Sequence, residues 1–235
     1  MTNLAQLNKQ RWDKCVITPS KVSAFNAVAA KLKAPDAVAR YKKVEARTGV
    51  PWWFIAVVHE REASQRWDTQ LGQGDPLNKK SVHVPAGRGP FSTWEDGAVD
   101  ALTKCAPFAA TNHDWSIGGA LAMLEKYNGL GYATRGIPSP YIWAGTNQYT
   151  KGKFVGDGVF SATAVDKQLG CAGLLKTMNV FHDNVTGPVV ATGTGGFSIW
   201  LSNYWHQHET LIIIGGIIAA IAIGAAVHLY RNKGK

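Results

Sequence analysis

Apolar positions recur at three- and four-residue intervals through much of the chain. They predict helices over Val22–Lys33, Asp36–Thr48, Pro51–Ser64, Trp94–Cys105, Ser116–Tyr127 and Ala164–Met178. The punctuation agrees with the period. Pro35 stands just before the second helix, Pro51 opens the third, and Gly129 follows the end of the fifth. Between Trp67 and Phe91 the run LGQGDPLNKKSVHVPAGRGP holds too much Gly and Pro for one long helix and predicts a small β-hairpin region. Helices, then a short β insertion, then more helices define a mainly helical α+β class.

The pattern changes after residue 183. From Leu211 to Tyr230 the chain reads LIIIGGIIAAIAIGAAVHLY, 20 residues without a formal charge, which is the length and character of a transmembrane helix. A buried core helix is the alternative reading, but few such helices are apolar on every face. Trp200, Tyr204, Trp205 and Tyr230 flank the span as interfacial aromatics do. Residues 184–199, rich in Gly, Thr and Val, read as a flexible linker. The expected organisation is therefore a domain over 1–183, that linker, and a membrane anchor over 200–235 ending in the basic tail 231–235.

Composition adds partners to this picture. The net charge is +9, of which +7 falls on residues 1–208, so the excess belongs to the domain. A basic surface attracts nucleic acid, anionic lipid and bacterial wall polymers alike, and charge alone does not choose among them. Nine tryptophans and 46% hydrophobic residues exclude a disordered chain. Cys15, Cys105 and Cys171 show no metal-site spacing and are expected as free thiols. The N-terminus has no basic stretch followed by an apolar run, so no secretory signal peptide is expected.

The segment that carries chemistry is Ile55-Ala-Val-Val-His59-Glu60-Arg61-Glu62-Ala63-Ser64. On a helix, Glu62 shares a stripe with Ile55 and Val58, positions that face the interior. Desolvation there raises a carboxyl's pKa, which suits a general acid working near neutral pH. The plainer alternative is a glutamate at a helix end paired with Arg61 or Arg66. His59-Glu60 begins like the HExxH zinc motif, but position 63 is Ala, so the second ligand is missing and no metal is expected. His59 and His83 read as polar partners. Tyr127, Tyr132, Tyr141, Trp143 and Tyr149 gather in a Gly/Pro-rich region, where aromatics either stack on sugar rings or fill the core.

Three stretches carry a resemblance to a known superfamily. The string VVHEREASQRWD resembles the Glu-Ser helix end of lytic transglycosylases and goose-type lysozymes, and Tyr127-Asn128-Gly129 resembles their Tyr-Asn-x-Gly element with the Gly one place early. More broadly, VPWWFIAVVHEREAS, GDPLNKKSVHVPAGRGP and SPYIWAGTNQYTKGKFVGDG are similar to bacterial and phage lysozyme-like proteins, over about residues 50–178. The resemblance implies a lysozyme-like domain in which Glu62 is the catalytic acid. It implies Ser64, Tyr127 and Asn128 near the bound sugar, with Tyr141 and Trp143 on a segment bordering the cleft.

The function expected is cleavage of the β-1,4 bond between N-acetylmuramic acid and N-acetylglucosamine in peptidoglycan, without metal or organic cofactor. Whether a second carboxylate assists divides hydrolase from lytic transglycosylase. Asp68 and Asp75 follow Glu62 by six and thirteen residues, and Asp75 is the candidate, set against its reading as an ordinary turn residue before Pro76. The rival function is a non-catalytic, membrane-anchored structural protein that uses a lysozyme-like fold to bind cell wall. Peptidoglycan and a membrane are the expected partners, with virion proteins as further ones and nucleic acid not the primary ligand. Arg231, Lys233 and Lys235 place the C-terminus in the cytoplasm by the positive-inside rule, so the domain faces the wall. A bacterial inner membrane and the membrane of a phage particle both fit that arrangement.

Overall fold

A computed structural model describes residues 4–181, and the predicted span over 211–230, the linker and the basic tail lie outside the described residues. Among the described residues the α-helices are α1 (Leu4–Asp13), α2 (Val22–Leu32), α3 (Pro35–Thr48), α4 (Trp52–Ala63), α5 (Trp94–Lys104), α6 (Ile117–Asn128), α7 (Gly131–Thr134), α8 (Pro140–Trp143) and α9 (Cys171–Met178). Strands β1 (Lys153–Gly156) and β2 (Val159–Ser161) form a two-stranded antiparallel sheet with Phe154 opposite Phe160. The class is α+β and mainly helical. No helix among the described residues is long and apolar enough to cross a membrane.

The organising element is α4. Phe54, Ile55, Ala56, Val57, Val58, His59 and Arg61 are all buried, so this helix is enclosed on nearly every side and its last turn is carried into the interior. Pro51 caps it rather than opening its first turn, and Ser64 and Gln65 end it with φ of 48° and 62°. Two consecutive left-handed residues turn the chain sharply and stop the helical hydrogen bonding.

The surrounding helices close by ordinary capping chemistry. Thr93 accepts from the Asp96 amide at the start of α5, and Ser116 accepts from the Gly119 amide at the start of α6. Gly49 ends α3 at φ 72°, where a side chain would be strained. Helices α3 and α5 are laced by Arg40, which holds Glu95 through two bonds of 2.7 and 3.0 Å, and by Arg47 on Asp96 at 2.9 Å. Beneath them Tyr41, His59, Trp67 and Trp94 form one aromatic cluster, with the Arg40 guanidinium 4.1 Å above the Trp67 ring. Cys15, Cys105 and Cys171 are free and buried.

Three sequence expectations are corrected. The predicted hairpin region between Trp67 and Phe91 contains no strand, only an isolated bridge between Thr69 and Pro76. Pro76, Pro85 and Pro90 remove amide donors from that stretch, and its polar groups are satisfied by side chains such as Gln70, Ser81 and Asp75. The strand pair lies instead at Lys153–Ser161, turned through Asp157 and Gly158, the latter at φ 68°. The predicted helix over Ala164–Met178 begins only at Cys171. Residues 164–170 stay extended because Asp166 and Gln168 spend their polar groups on distant partners and Gly170 is wedged against the α8 backbone. Helix α1 was not anticipated. Its sequence, LAQLNKQRWD, is polar on average, and its buried residues are Asn8 and Trp12.

Candidate active site

The last turn of α4 delivers Glu62 to a cleft of about 640 Å³. Tyr127 and Asn128 reach the cleft from the end of α6, Tyr132 from α7, Tyr141 from α8, and Lys153 and Phe154 from β1. Asp157 on the hairpin turn and Asp166 and Gln168 on the extended strap before α9 complete the wall. Elements far apart in the chain therefore converge on one carboxyl group.

Glu62 is half-buried, and its Oε1 accepts a hydrogen bond of 2.8 Å from the Tyr141 hydroxyl. Burial pushes the Glu62 carboxyl up to about 7, against the Tyr141 hydrogen bond and the charge of Arg61, which both pull it down. Tyr141 and Tyr127 are themselves pushed well above the ordinary tyrosine value, first by burial and then by the nearby Glu62 charge. Tyr141 thus keeps its proton and donates it to Oε1, while Oε2 has no protein hydrogen-bond partner among the described residues. A protonated Glu62 carries its proton on the oxygen left free of Tyr141.

The plainer reading, in which Glu62 pairs with Arg61 or Arg66, does not describe this geometry. Arg61 is turned to Asp166 at 2.9 Å, and Arg66 binds the exposed Asp68 at 3.1 Å. Nor is His59 at the site. Its Nδ1 accepts from the Tyr41 hydroxyl at 3.0 Å and its Nε2 donates to the Arg66 carbonyl at 2.9 Å. Burial lowers its pKa to about 4, so it is a neutral bracket for the turn after α4.

Of the residues expected from sequence, Glu62, Tyr127, Asn128 and Tyr141 line the cleft together. Asn128 Nδ2 donates to Ser139 Oγ at 3.1 Å, which ties the end of α6 to the start of α8. Ser64 and Trp143 stand elsewhere. Ser64 closes α4 on an exposed face beside Lys31, Glu60 and Trp67, and Trp143 is fully buried in the core. Asp75 does not line the cleft either. Its Oδ2 accepts from the Val82 and His83 amides at 2.9 and 3.0 Å, and its Oδ1 meets His83 Nδ1 at 2.7 Å. These bonds hold its carboxyl below the ordinary range and organise the loop over 75–88.

An expected result follows for Asp75→Asn. The amide can keep its oxygen on the Val82 and His83 N–H groups only by turning its NH2 to His83 Nδ1, so the charge-assisted bonds are lost, the loop loosens and the melting temperature falls. Turnover should drop far less than the ~10²-fold that losing a general base entails, with unchanged product ends. Paired melting and peptidoglycan-turnover measurements check this. A full ~10²-fold loss without loss of fold would make Asp75 the water-activating base after all.

Sequence reading missed Arg61, Lys153, Asp157, Asp166 and Gln168 as cleft residues. Arg61 carried a usable signal, because a guanidinium in the last turn of a helix that is apolar from Trp52 to Val58 is carried toward the interior and needs a buried anion. Asp166 and Gln168 lie where a helix was expected, and Lys153 and Asp157 lie in the segment that the resemblance set at the cleft border without singling them out. No group of His, Cys, Asp and Glu side chains that could hold a metal ion occurs among the described residues. Compared with family models, curated proteins and solved structures, the chain matches none.

Proposed function

We propose that the domain is a lysozyme-like glycosidase that cuts the β-1,4 bond between N-acetylmuramic acid and N-acetylglucosamine in peptidoglycan, with Glu62 as general acid. The observation that carries this reading is one carboxyl, held protonated to about pH 7, on the wall of an open cleft rimmed by Tyr127, Tyr132 and Tyr141. Glycoside cleavage needs a proton on the leaving oxygen as the bond to the anomeric carbon breaks. Glu62 Oε2 supplies it. Tyr132 and Tyr141 are buried and back the cleft wall, the half-buried Tyr127 and Phe154 offer apolar surface to a sugar ring, and Asn128 and Gln168 offer amides for hydroxyl and acetamido groups.

The fate of the cationic sugar separates two enzymes. A hydrolase needs a second carboxylate to activate water or to bond the sugar. The other carboxylates of the cleft are Asp166, committed to Arg61, and Asp157, on the exposed hairpin turn. This favours a lytic transglycosylase. The muramyl 6-hydroxyl attacks its own anomeric carbon and yields its proton to the Glu62 carboxylate, leaving a 1,6-anhydro end and restoring the acid.

Mass spectrometry of digested sacculi tests both levels of the reading. Anhydro-muramic ends are expected. Reducing ends would make the protein a hydrolase, and sacculus binding without any cleavage would make it a wall-binding structural module. The same proposal places residues 211–230 across a membrane with the domain facing the wall, and purified phage particles or bacterial inner membranes are where the protein should be sought.

A further inference from the structure

Arg61 immediately precedes the proposed acid, and its surroundings are unusual for a surface-type residue. Its side chain is 5% exposed, its Nη2 donates to Asp166 Oδ2 at 2.9 Å, and its Nη1 donates to the Leu169 carbonyl at 3.3 Å. The guanidinium lies 4.8 Å from the centroid of the Tyr141 ring, whose hydroxyl is bonded to Glu62. The strap that supplies Asp166 is fastened in return. Gln168 Nε2 donates to the Arg61 carbonyl at 3.2 Å, the Asp166 amide donates to Tyr149 Oη at 3.0 Å, and Asp166 Oδ1 accepts from the Gln168 amide at 3.1 Å.

A full positive charge next to a general acid works against it, because it favours the carboxylate and strips the proton at lower pH. In a desolvated site such a charge acts strongly unless an anion cancels it. Asp166, with its side chain 7% exposed, is placed to do so. We propose that Asp166 is a positioning residue that acts on Glu62 through Arg61: it cancels the guanidinium charge beside the acid and pins Arg61 against the Tyr141 ring. The Tyr141 hydroxyl is thereby kept on Glu62 Oε1, and Oε2 is left to hold the proton. This inference rests on the reading of Glu62 as the acid.

The charged and titratable groups facing Glu62 are Arg61 on its own helix, Tyr127 on α6, Tyr132 on α7, Tyr141 on α8, Lys153 on β1, Asp157 on the hairpin turn, Asp166 on the strap and Cys171 on α9. Lys153 Nζ is 3.7 Å from Asp166 Oδ1, so the aspartate balances two cations and its loss exposes both. Replacing Asp166 by Asn keeps one hydrogen-bond acceptor for Arg61, removes the charge and gives up the bond from the Gln168 amide.

The experiment follows the Glu62 carboxyl carbon by NMR titration of the full chain in detergent, alongside the pH profile of kcat/KM on sacculi. Asp166→Asn should lower the Glu62 midpoint by about one unit or more, a size typical of an opposite charge within a few ångströms. The alkaline limb of the activity profile should move down with it. The double variant Arg61→Gln/Asp166→Asn removes both charges from the pair and, as a neutral replacement of a buried ion pair, should fold and return the midpoint to within about half a unit of wild type. An unmoved midpoint in the single variant, or a displacement above about one unit in the double, would overturn the proposal; the double alone decides it should the single fail to fold. A wild-type protein that cleaves no sacculi would instead sink the enzymatic reading, and the NMR titration would still report on the pair.

Discussion

Replacing Glu62 by Gln should lower peptidoglycan turnover by about 10²-fold or more, because the amide keeps the shape and accepts the Tyr141 hydrogen bond but has no acid proton to give. The same substitution should make the domain more stable at alkaline pH. Glu62 in the fold titrates at about 7, above the ordinary value of 4.5. The native state therefore binds this proton more tightly than the unfolded chain, and the stabilisation is complete below pH 4.5 and lost as pH rises through 7. Above pH 7 the fold carries an ionised, desolvated carboxylate at a cost on the order of 1–3 kcal/mol, and Gln relieves it. Thermal unfolding at pH 4 and pH 8 reads this: the variant gains at pH 8 and gains little at pH 4. Near-normal turnover by the purified variant would refute the assignment of Glu62.

Gly170→Ala is expected to be among the most damaging single methyls in the domain. A Cβ at this position would lie 2.4 Å from the Ile142 carbonyl oxygen and 2.6 Å from the Ala144 nitrogen, both backbone atoms that no rotamer change can move. Gly170 has an ordinary φ of −77°, so the penalty is purely steric. Its amide also donates to the Ala144 carbonyl at 2.9 Å, which seats the start of α9 on the end of α8. Overpacking of this kind costs about 3 kcal/mol. Forcing the strap away from α8 also draws Tyr141 off Glu62, and a misplacement of about 1 Å at a reacting group can cost ~10²-fold in rate. Gly49→Ala is the control. That position has a φ of 72° but nothing within 4 Å, so only backbone strain is felt, on the order of 1 kcal/mol. Urea midpoints of the two variants should separate clearly, and equal midpoints would show that the α8–α9 seam yields more easily than its packing implies.

What sequence made legible was decided by how local the determining physics is. Helices α2 to α6 were found within a residue or two because periodicity, Pro35, Pro51 and Gly129 all act within a turn. Glu62 was legible for the same reason: its place on a helix stripe is a property of its neighbours. The hairpin was put in the wrong segment because Gly- and Pro-rich runs look alike, and only the pairing of Phe154 with Phe160 tells a strand pair from a braced loop. The strap over 164–170 was misread as helix because its extended course is imposed from outside, by Arg61 and by the closeness of α8. Trp143 was offered as either a sugar platform or a core aromatic, on its chemistry and on the resemblance of its segment, and the structure puts it in the core. Burial in the core is a fact about the whole fold, and no pattern around position 143 announces it.

The bond between Arg61 and Asp166 spans 105 positions of chain, and the bond between Tyr141 and Glu62 spans 79. During synthesis from the N-terminus, α4 emerges with its glutamate long before the residues that give it a protonated, oriented carboxyl have been made. A chain released or cleaved before residue 166 would have the acid, most of the helices and no strap to hold them in working order. Such distant pairings also carry a larger loop-closure cost than contacts within a helix. On the proposed reading of Glu62, the site is complete only when the final strap and helix have closed over the rest. For a protein whose proposed target is the wall of a living cell, that delay separates the making of the enzyme from its use.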